Sequence, residues 1–320
     1  MTSINDASNS MKSVLGKLQT VVIEQPEMCQ TAVISVVIGG NFIVNGEPGT
    51  GKTLLNKALA KAANMEFGRV QLNPDVTPTD FTGGLIWNPK TGELELKPGP
   101  LLRFPFLLVD EFDRGSRQIH SAIIEATAER TVSIDGTSYP TPENAVINAT
   151  MNGIDHDDSV RRVPRAVMDR FWLSCTALRP SAKAEALIAD MDDEPNLEQL
   201  LNGSYLDLKL LREQVREVRL ATQYTTDDQN IDIKLEAIKM VRRTIPAATG
   251  KDAKLTYDAG IRASRILLRA AAALALLNGK ATFDLDDIRT MAVPVLRHRI
   301  DTVDLMSSAD KDNYIKELIK

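Results

Sequence analysis

Hydrophobic positions along this chain fall into two rhythms. Up to about residue 179, short apolar runs alternate with polar, turn-rich stretches; beyond residue 180 the apolar positions recur mainly at helical spacing. Asn41-Phe42-Ile43-Val44 is a short β-branched run, and Leu54, Leu55, Ala58, Leu59 and Ala62 follow it at helical spacing across a glycine-bearing loop. The local order is strand, loop, helix. Residues 69–72 read as a second strand, and residues 73–84, rich in Pro, Thr, Asp and Gly, as a loop. Residues 85–87 and 93–97 flank the turn cluster Asn88-Pro89-Lys90-Thr91-Gly92, which predicts a β-hairpin. Phe106-Leu107-Leu108-Val109 is continuously apolar and too short for a helix, the signature of a strand buried on both faces. Ile119, Ala122, Ile123, Ile124 and Ala126 predict a helix, and Asp135-Gly136 between residues 131–134 and 137–139 predicts a second hairpin. Residues 146–152 and 171–175 supply a fourth and a fifth strand.

Strands interleaved with helices predict an α/β fold, a five-stranded parallel sheet carrying two inserted β-hairpins. The first 20 residues read as a frayed lead-in followed by a helix, residues 21–179 as the α/β core, and residues 180–320 as an all-α unit. In that last unit Ile266, Leu267, Ala270, Ala273, Leu274 and Leu277 share one face of a helix over 263–278, and Asp284 caps another that ends near 295–299.

One stretch carries chemistry on its own. Gly46-Glu47-Pro48-Gly49-Thr50-Gly51-Lys52-Thr53 satisfies the G-x-x-x-x-G-K-[ST] pattern in the strand–loop–helix setting it requires. Such a loop aims unpaired backbone N–H groups and the positive end of a helix at one spot, where a polyphosphate fits. Residues 47–54 are therefore the candidate nucleotide contacts, Lys52 reaching the β- and γ-phosphates and the Thr53 hydroxyl ligating Mg²⁺. Asp110 and Glu111 follow the apolar run at 106–109, at the carboxyl end of a strand, where open α/β sheets bind ligands. Paired carboxylates there also serve simply to solubilise a strand end. Coupled to the loop, Asp110 reads as a metal-shell acid and Glu111 as the group that polarises water.

Composition narrows the class without changing the picture. A chain of 320 residues, 43% hydrophobic and 25% charged, is ordinary globular material with length for about two domains. The polar start lacks a signal-peptide pattern and no apolar stretch reaches the ~18 residues of a membrane span, so a cytoplasmic protein is expected. Cys29 and Cys175 lack metal-type spacing and read as reduced packing residues. A formal net charge of -5 argues against a nucleic-acid footprint, although a local basic stripe can sit inside an acidic total.

Taken together, these segments resemble the MoxR family of AAA+ ATPases, in order from about residue 21 to residue 300. The resemblance is carried by the phosphate loop, by Gln71 through Gly83, by Pro98-Gly99-Pro100, by Asp110-Glu111-Phe112-Asp113-Arg114, by Ala149-Thr150-Met151-Asn152 and by Asp169-Arg170-Phe171. Arg262-Ala263-Ser264 and Val295-Leu296-Arg297-His298-Arg299 extend it into the second unit, which becomes a helical lid. The resemblance implies that Asn152 is the first sensor, holding the attacking water or the γ-phosphate; that Arg170 is an arginine finger felt by a neighbouring subunit; and that Arg262 is the second sensor. It also implies adenine contacts from Ile23 and Gln25. Glu24 departs from the family's usual glycine between them, and residues 153–158 (Gly-Ile-Asp-His-Asp-Asp) depart from its usual turn; that acidic cluster reads as a solvated loop rather than a metal site. Arg114, Arg161, Arg162 and Arg165 read equally well as surface charges.

The resemblance implies ATP hydrolysis with Mg²⁺ at the seams of a homo-oligomeric ring, a hexamer, that remodels or matures a partner protein or serves metal-cofactor insertion, often beside a partner with a von Willebrand A domain. Two alternatives remain open: a motor on nucleic acid, with Lys90, Lys97, Arg130 and Trp87 as contacts, and a slow nucleotide-gated scaffold.

Overall fold

A computed structural model describes residues 3–152, 163–191, 195–222, 232–249, 254–302 and 307–320. Helices α1 (Ile4–Val21) and α2 (Pro26–Val37) lead to strand β1 (Phe42–Gly46), the phosphate loop and α3 (Lys52–Ala62). Then come β2 (Phe67–Gln71), the short α4 (Pro78–Thr82), the hairpin β3 (Gly83–Asn88) and β4 (Glu93–Pro98), α5 (Pro100–Arg103) and β5 (Phe106–Asp110). Helix α6 (Arg117–Glu129), the second hairpin β6 (Thr131–Ile134) and β7 (Thr137–Pro140), β8 (Val146–Met151), α7 (Arg165–Met168) and β9 (Leu173–Ala177) complete the α/β part.

The five long strands pair in the order β2-β5-β8-β1-β9, all parallel. Alternation along β1 divides the core: Phe42 and Val44 pack toward α2, α3 and the later helices, whereas Ile43 packs with Leu107, Val109, Ile147 and Phe171 on the other face. Two buried amides fix β1 in this sheet. Asn148 Oδ1 accepts from the Phe42 amide at 2.9 Å while its Nδ2 donates to Asn56 on α3 at 2.8 Å, and Asn41 Oδ1 accepts from the Ile147 amide at 2.9 Å. With every polar atom of these contacts partnered, burial costs little and the strand that carries the phosphate loop gains a fixed register.

Helices α8 (Ala182–Ala189), α9 (Leu197–Leu201), α10 (Leu208–Ala221), α11 (Ile233–Arg242) and α12 (Thr244–Thr249), strand β10 (Leu255–Tyr257), α13 (Gly260–Leu277), α14 (Leu285–Leu296), strand β11 (Asp301–Thr302) and α15 (Ser308–Leu318) follow the sheet. Among the described residues this part is helical except for the antiparallel β10–β11 pair, so the all-α expectation needs that small correction. Among the described residues no helix is long and apolar enough to cross a membrane.

The start of the chain also differs from expectation. Rather than fraying, α1 begins at Ile4 behind a Ser3/Asp6 capping box and buries Ala7, Met11, Val14, Leu18 and Val21. Its Ser8 hydroxyl donates to the Leu277 carbonyl at 2.7 Å, tying the first helix to the lid. Residues 26–37 form a helix that periodicity does not reveal, because Met28 through Val37 are almost all buried and a helix apolar on every side has no polar stripe. Within residues 73–84, expected as a loop, Thr77 and Asp80 cap the helical turn α4. The fifth strand runs two residues later than expected because the Phe171 ring turns inward, edge-on to Phe112 at 5.2 Å.

The end of α14 fastens the lid to β9. Arg297 donates to Asp312 at 2.6 Å, to Glu27 at 3.0 Å and to the Ser174 carbonyl at 3.3 Å. Arg299 donates to Asp169 at 3.1 Å and to the carbonyls of Phe171 and Trp172 at 2.6 and 3.0 Å. Burial, only partly offset by Asp169, pushes this guanidinium down to about 10, still charged at neutral pH. Arg299→Ala would leave Asp169 to Arg262 and the Phe171 carbonyl to His298 but take the donor from the buried Trp172 carbonyl, and an expected loss of about 1 to 3 kcal/mol should appear in chemical denaturation. Between the two arginines, His298 bridges the Ser174 hydroxyl and the Phe171 carbonyl, each at 2.8 Å.

Burial, and then the positive charges of Arg299, Lys311 and Arg297, hold the His298 imidazole well below its ordinary range, and burial lowers that of His120, which bonds the Phe112 carbonyl. The unfolded chain therefore binds more protons than the folded one once pH falls below about 6.5, and stability that is complete above that value is lost on acidification. The melting temperature is expected to drop between pH 7.5 and 5.5, and His298→Gln should flatten that slope. An unchanged slope in this variant would remove His298 as a source.

Candidate active site

Parallel order brings the ends of β1, β5 and β8 to one edge of the sheet, and with them the phosphate loop, Asp110-Glu111 and Asn152. Gly46 is required by close approach, since a Cβ there would lie 2.5 Å from the Ala177 carbonyl oxygen on β9. Gly51 adopts φ +80°, the left-handed turn that starts α3. The Lys52 side chain folds back into the loop and is nearly buried. Its ammonium donates to the Gly46 carbonyl, to the Glu47 carbonyl at 3.2 Å, to the Met151 carbonyl at 3.4 Å and to Asn152 Oδ1 at 2.9 Å. Burial lowers its pKa against the raising pull of Asp110, Asp113 and Glu111. An anion would replace weak carbonyl acceptors by a charged one, so this cradle fits a phosphate.

The two carboxylates at the end of β5 are held from β2. Arg69 donates to Asp110 Oδ2 through Nε at 3.0 Å and through Nη2 at 2.6 Å, and the Thr150 hydroxyl donates to the other oxygen. Gln71, two residues along the same strand, donates to Glu111 Oε1 at 2.9 Å, while Arg114 pairs with Oε2 at 3.2 Å. Glu111 sits at φ +53°, an uncommon conformation for a non-glycine residue. The Thr53 hydroxyl and the Asp110 carboxylate are hard oxygen donors of the type Mg²⁺ takes. Among the described residues no group of three or more His, Cys, Asp or Glu side chains could hold an ion by itself. A divalent ion at this edge would lean on substrate phosphate oxygens, as Mg²⁺ commonly does, so the donor set fits it.

Beside the loop, Val21, Val22, Ile23, Leu54, Pro180, Ile188 and Met191 line a small apolar cavity of about 180 Å³ against Gly49, Thr50 and Gly51. Ile23 thus lines the cavity beside the loop. Gln25 is committed elsewhere, its Nε2 donating to the Leu178 carbonyl at 2.5 Å and its Oε1 accepting from the Leu178 amide at 3.0 Å. Glu24, where a glycine was expected, adopts φ +54°, the region glycine favours. Its carboxylate accepts from the amide and hydroxyl of Ser181, both at 2.7 Å, which fixes the start of α8.

Arg170 and Arg262 lie together but apart from these groups. They share a cavity of about 370 Å³ with Trp172, Arg265, Ile266 and Arg269, none of which lines the cavities at the phosphate loop. Arg262 pairs with Asp169, and the Arg170 Nε is buried without a partner. The expected loop at 153–158, with Arg161 and Arg162, lies outside the described residues. Arg165 lies over the Tyr257 ring at 4.8 Å, and Cys29 and Cys175 are free and buried.

Two family models match this chain: the ATPase family associated with various cellular activities (AAA) over residues 41–173, and the AAA lid domain over residues 247–318. Chaperone MoxR1 of Mycobacterium tuberculosis is 29% identical over 297 residues, covering 91% of this chain and 76% of that one. Protein MoxR of Paracoccus denitrificans is 27% identical, covering 93% and 91%. The chain belongs to the MoxR family of AAA+ ATPases. Among solved structures, that of a putative ATPase from Cytophaga hutchinsonii superposes with a TM-score of 0.80 at 27% identity, covering 99% of this chain and 96% of that one. As a MoxR-family AAA+ ATPase the chain is an ATP hydrolase with a nucleotide-binding α/β core and a lid.

Sequence reasoning missed Arg69 as the residue that grips Asp110. Its signal is faint: Arg69 and Gln71 alternate on β2, so they share a face, but only the pairing of β2 with β5 puts that face beside the acids.

Proposed function

We propose that this MoxR-family chain hydrolyses Mg·ATP at sites completed by two copies in a ring, and uses the motion to remodel a partner protein in the manner of a chaperone. The observation that carries this reading is the separation of two half-sites. Lys52, Asp110, Glu111 and Asn152 converge at one edge, whereas Arg170 and Arg262 converge in a cavity that shares no lining residue with the loop cavities. Phosphoryl transfer needs cations opposite the loop, and a second copy supplies them. Arg262 then acts across the seam rather than within its own subunit.

Residues 47–54 hold the triphosphate, Lys52 exchanging its carbonyl partners for phosphate oxygens, and Ile23 packs against the base. Gln25 supports that pocket through Leu178 rather than touching adenine. Thr53 and Asp110 are the residues that would hold Mg²⁺, which supplies neutralisation of the charge on the phosphate oxygens. Glu111, released by Gln71, takes the proton of the attacking water, which Asn152 positions. Arg170 stabilises the charge that develops on the transferred group.

The β3–β4 hairpin exposes Ile86, Trp87 and Leu94, with Trp87 opposite Leu94. Exposed apolar side chains on the strands beneath the turn suit an apolar segment of a protein client better than a phosphate backbone, which favours the remodelling reading over the nucleic-acid motor. A partner with a von Willebrand A domain, a hexameric ring and a cytoplasmic setting complete the proposal. Light scattering of the purified chain with Mg·ATP should give a particle several times the mass of the 35.2 kDa monomer. A monomer at every nucleotide and protein concentration would refute the ring.

A further inference from the structure

The cavity that holds Arg170 and Arg262 contains more positive charge than those two residues provide. Arg262, Arg265 and Arg269 stand at i, i+3 and i+7 on one face of α13, and all three line it with Arg170. Among the described residues one carboxylate, Asp169, pairs within this group, and it is occupied by Arg262 and by Arg299 at 3.1 Å. Among the described residues neither Arg265 nor Arg269 has an acidic partner. Arg269 instead lies over the Trp172 ring at 5.1 Å. Burial is the main cause that lowers its pKa, and the charges of Arg219, which lines the adjoining cavity, and of Arg265 add to it. Such a cluster repels itself until an anion enters, and its cations converge on one concavity with an aromatic wall.

We propose that Arg265 and Arg269 complete, with Arg170 and Arg262, a four-guanidinium receptor for the polyphosphate tail of the ATP held by the adjacent copy. This rests on the two-copy reading above and extends it to residues that the family motifs do not include. Planar guanidinium groups pair bidentately with phosphate oxygens and stay charged, so the receptor is strong when filled and repulsive when empty. Assembly of the seam is therefore coupled to a triphosphate in the adjoining loop. Trp172 holds the Arg269 plane toward the cavity and limits how far it can swing away.

The test uses the full chain carrying Arg265→Ala together with Arg269→Gln, and separately Arg265→Lys. At dilutions where the chain is monomeric, a fluorescent ATP analogue should bind the double variant within about twofold of the unaltered chain, because the phosphate loop is untouched. The midpoint concentration for assembly with non-hydrolysable ATP, read by sedimentation, should rise about tenfold or more, and turnover at saturating ATP should fall about 10- to 100-fold, the range expected for lost charge-assisted contacts. Arg265→Lys should recover part of both, since it keeps the charge and loses the fork. Melting curves matching the unaltered chain establish that the variants fold.

Assembly and turnover equal to the unaltered chain would overturn the proposal. So would a loss confined to binding of single-stranded DNA, which would make the cluster a nucleic-acid site. Arg170→Ala separates the two levels: if it alone abolishes turnover while the double variant is fully active, only the extended receptor fails, and if it too is fully active, the two-copy reading has failed first.

Discussion

Glu111→Gln is expected to leave ATP binding intact and to lower turnover by on the order of 10²- to 10⁴-fold, the range for loss of a positioned general base. The substitution keeps shape and removes the proton acceptor. It also keeps an oxygen for Gln71, whose amide now donates to Glu111 at 2.9 Å, so the left-handed turn at residue 111 has no new reason to move. Lys52, with its four oxygen partners, does not touch Glu111 directly, which is why binding should survive. Calorimetry with Mg·ATP reads the binding and phosphate release reads the rate. Full turnover in the variant would take Glu111 out of the base role.

Arg170→Ala should cost more, on the order of 10³ to 10⁵ in rate, as arginine fingers do in related P-loop enzymes. The fold has little stake in this side chain, because its buried Nε has no partner. Arg262→Ala should also lose most turnover. Asp169 then keeps Arg299, so stability should change by no more than about 1 kcal/mol, as for a half-exposed ion pair. Rates and melting temperatures measured together decide the matter: a large loss of rate without a loss of stability supports roles in chemistry, and parallel losses would make these arginines parts of the scaffold.

What could be read from the chain was local chemistry. A phosphate loop is a sequence of backbone permissions and two side chains, all within eight residues, and Gly46, Gly51 and Lys52 behave as that pattern requires. Strand β5 was legible because four apolar residues ending in Asp110-Glu111 have few other uses, and the hairpin at 131–140 because Asp135 and Gly136 both take positive φ. Helix α2 was hidden by its own burial. Helix α1 looked weak because the surface that stabilises it is α13, some 250 residues away, and no local periodicity reports such a partner. The same holds for Arg69 on Asp110, and for Arg299 on Asp169 and the Phe171 carbonyl: both depend on which strands or units become neighbours. The Gln25 contact with Leu178 likewise appears only once β9 lies beside the residues that follow α1.

The most direct measurement is turnover by a mixture of two inactive forms. Lys52→Ala destroys the loop but keeps the finger, and Arg170→Ala keeps the loop but destroys the finger. If the site is shared between copies, equal mixing should restore activity at about a quarter of the seams, where an intact loop meets an intact finger in a head-to-tail ring. Activity no greater than the sum of the two forms alone, in mixed particles shown by sedimentation to have assembled, would contradict the account.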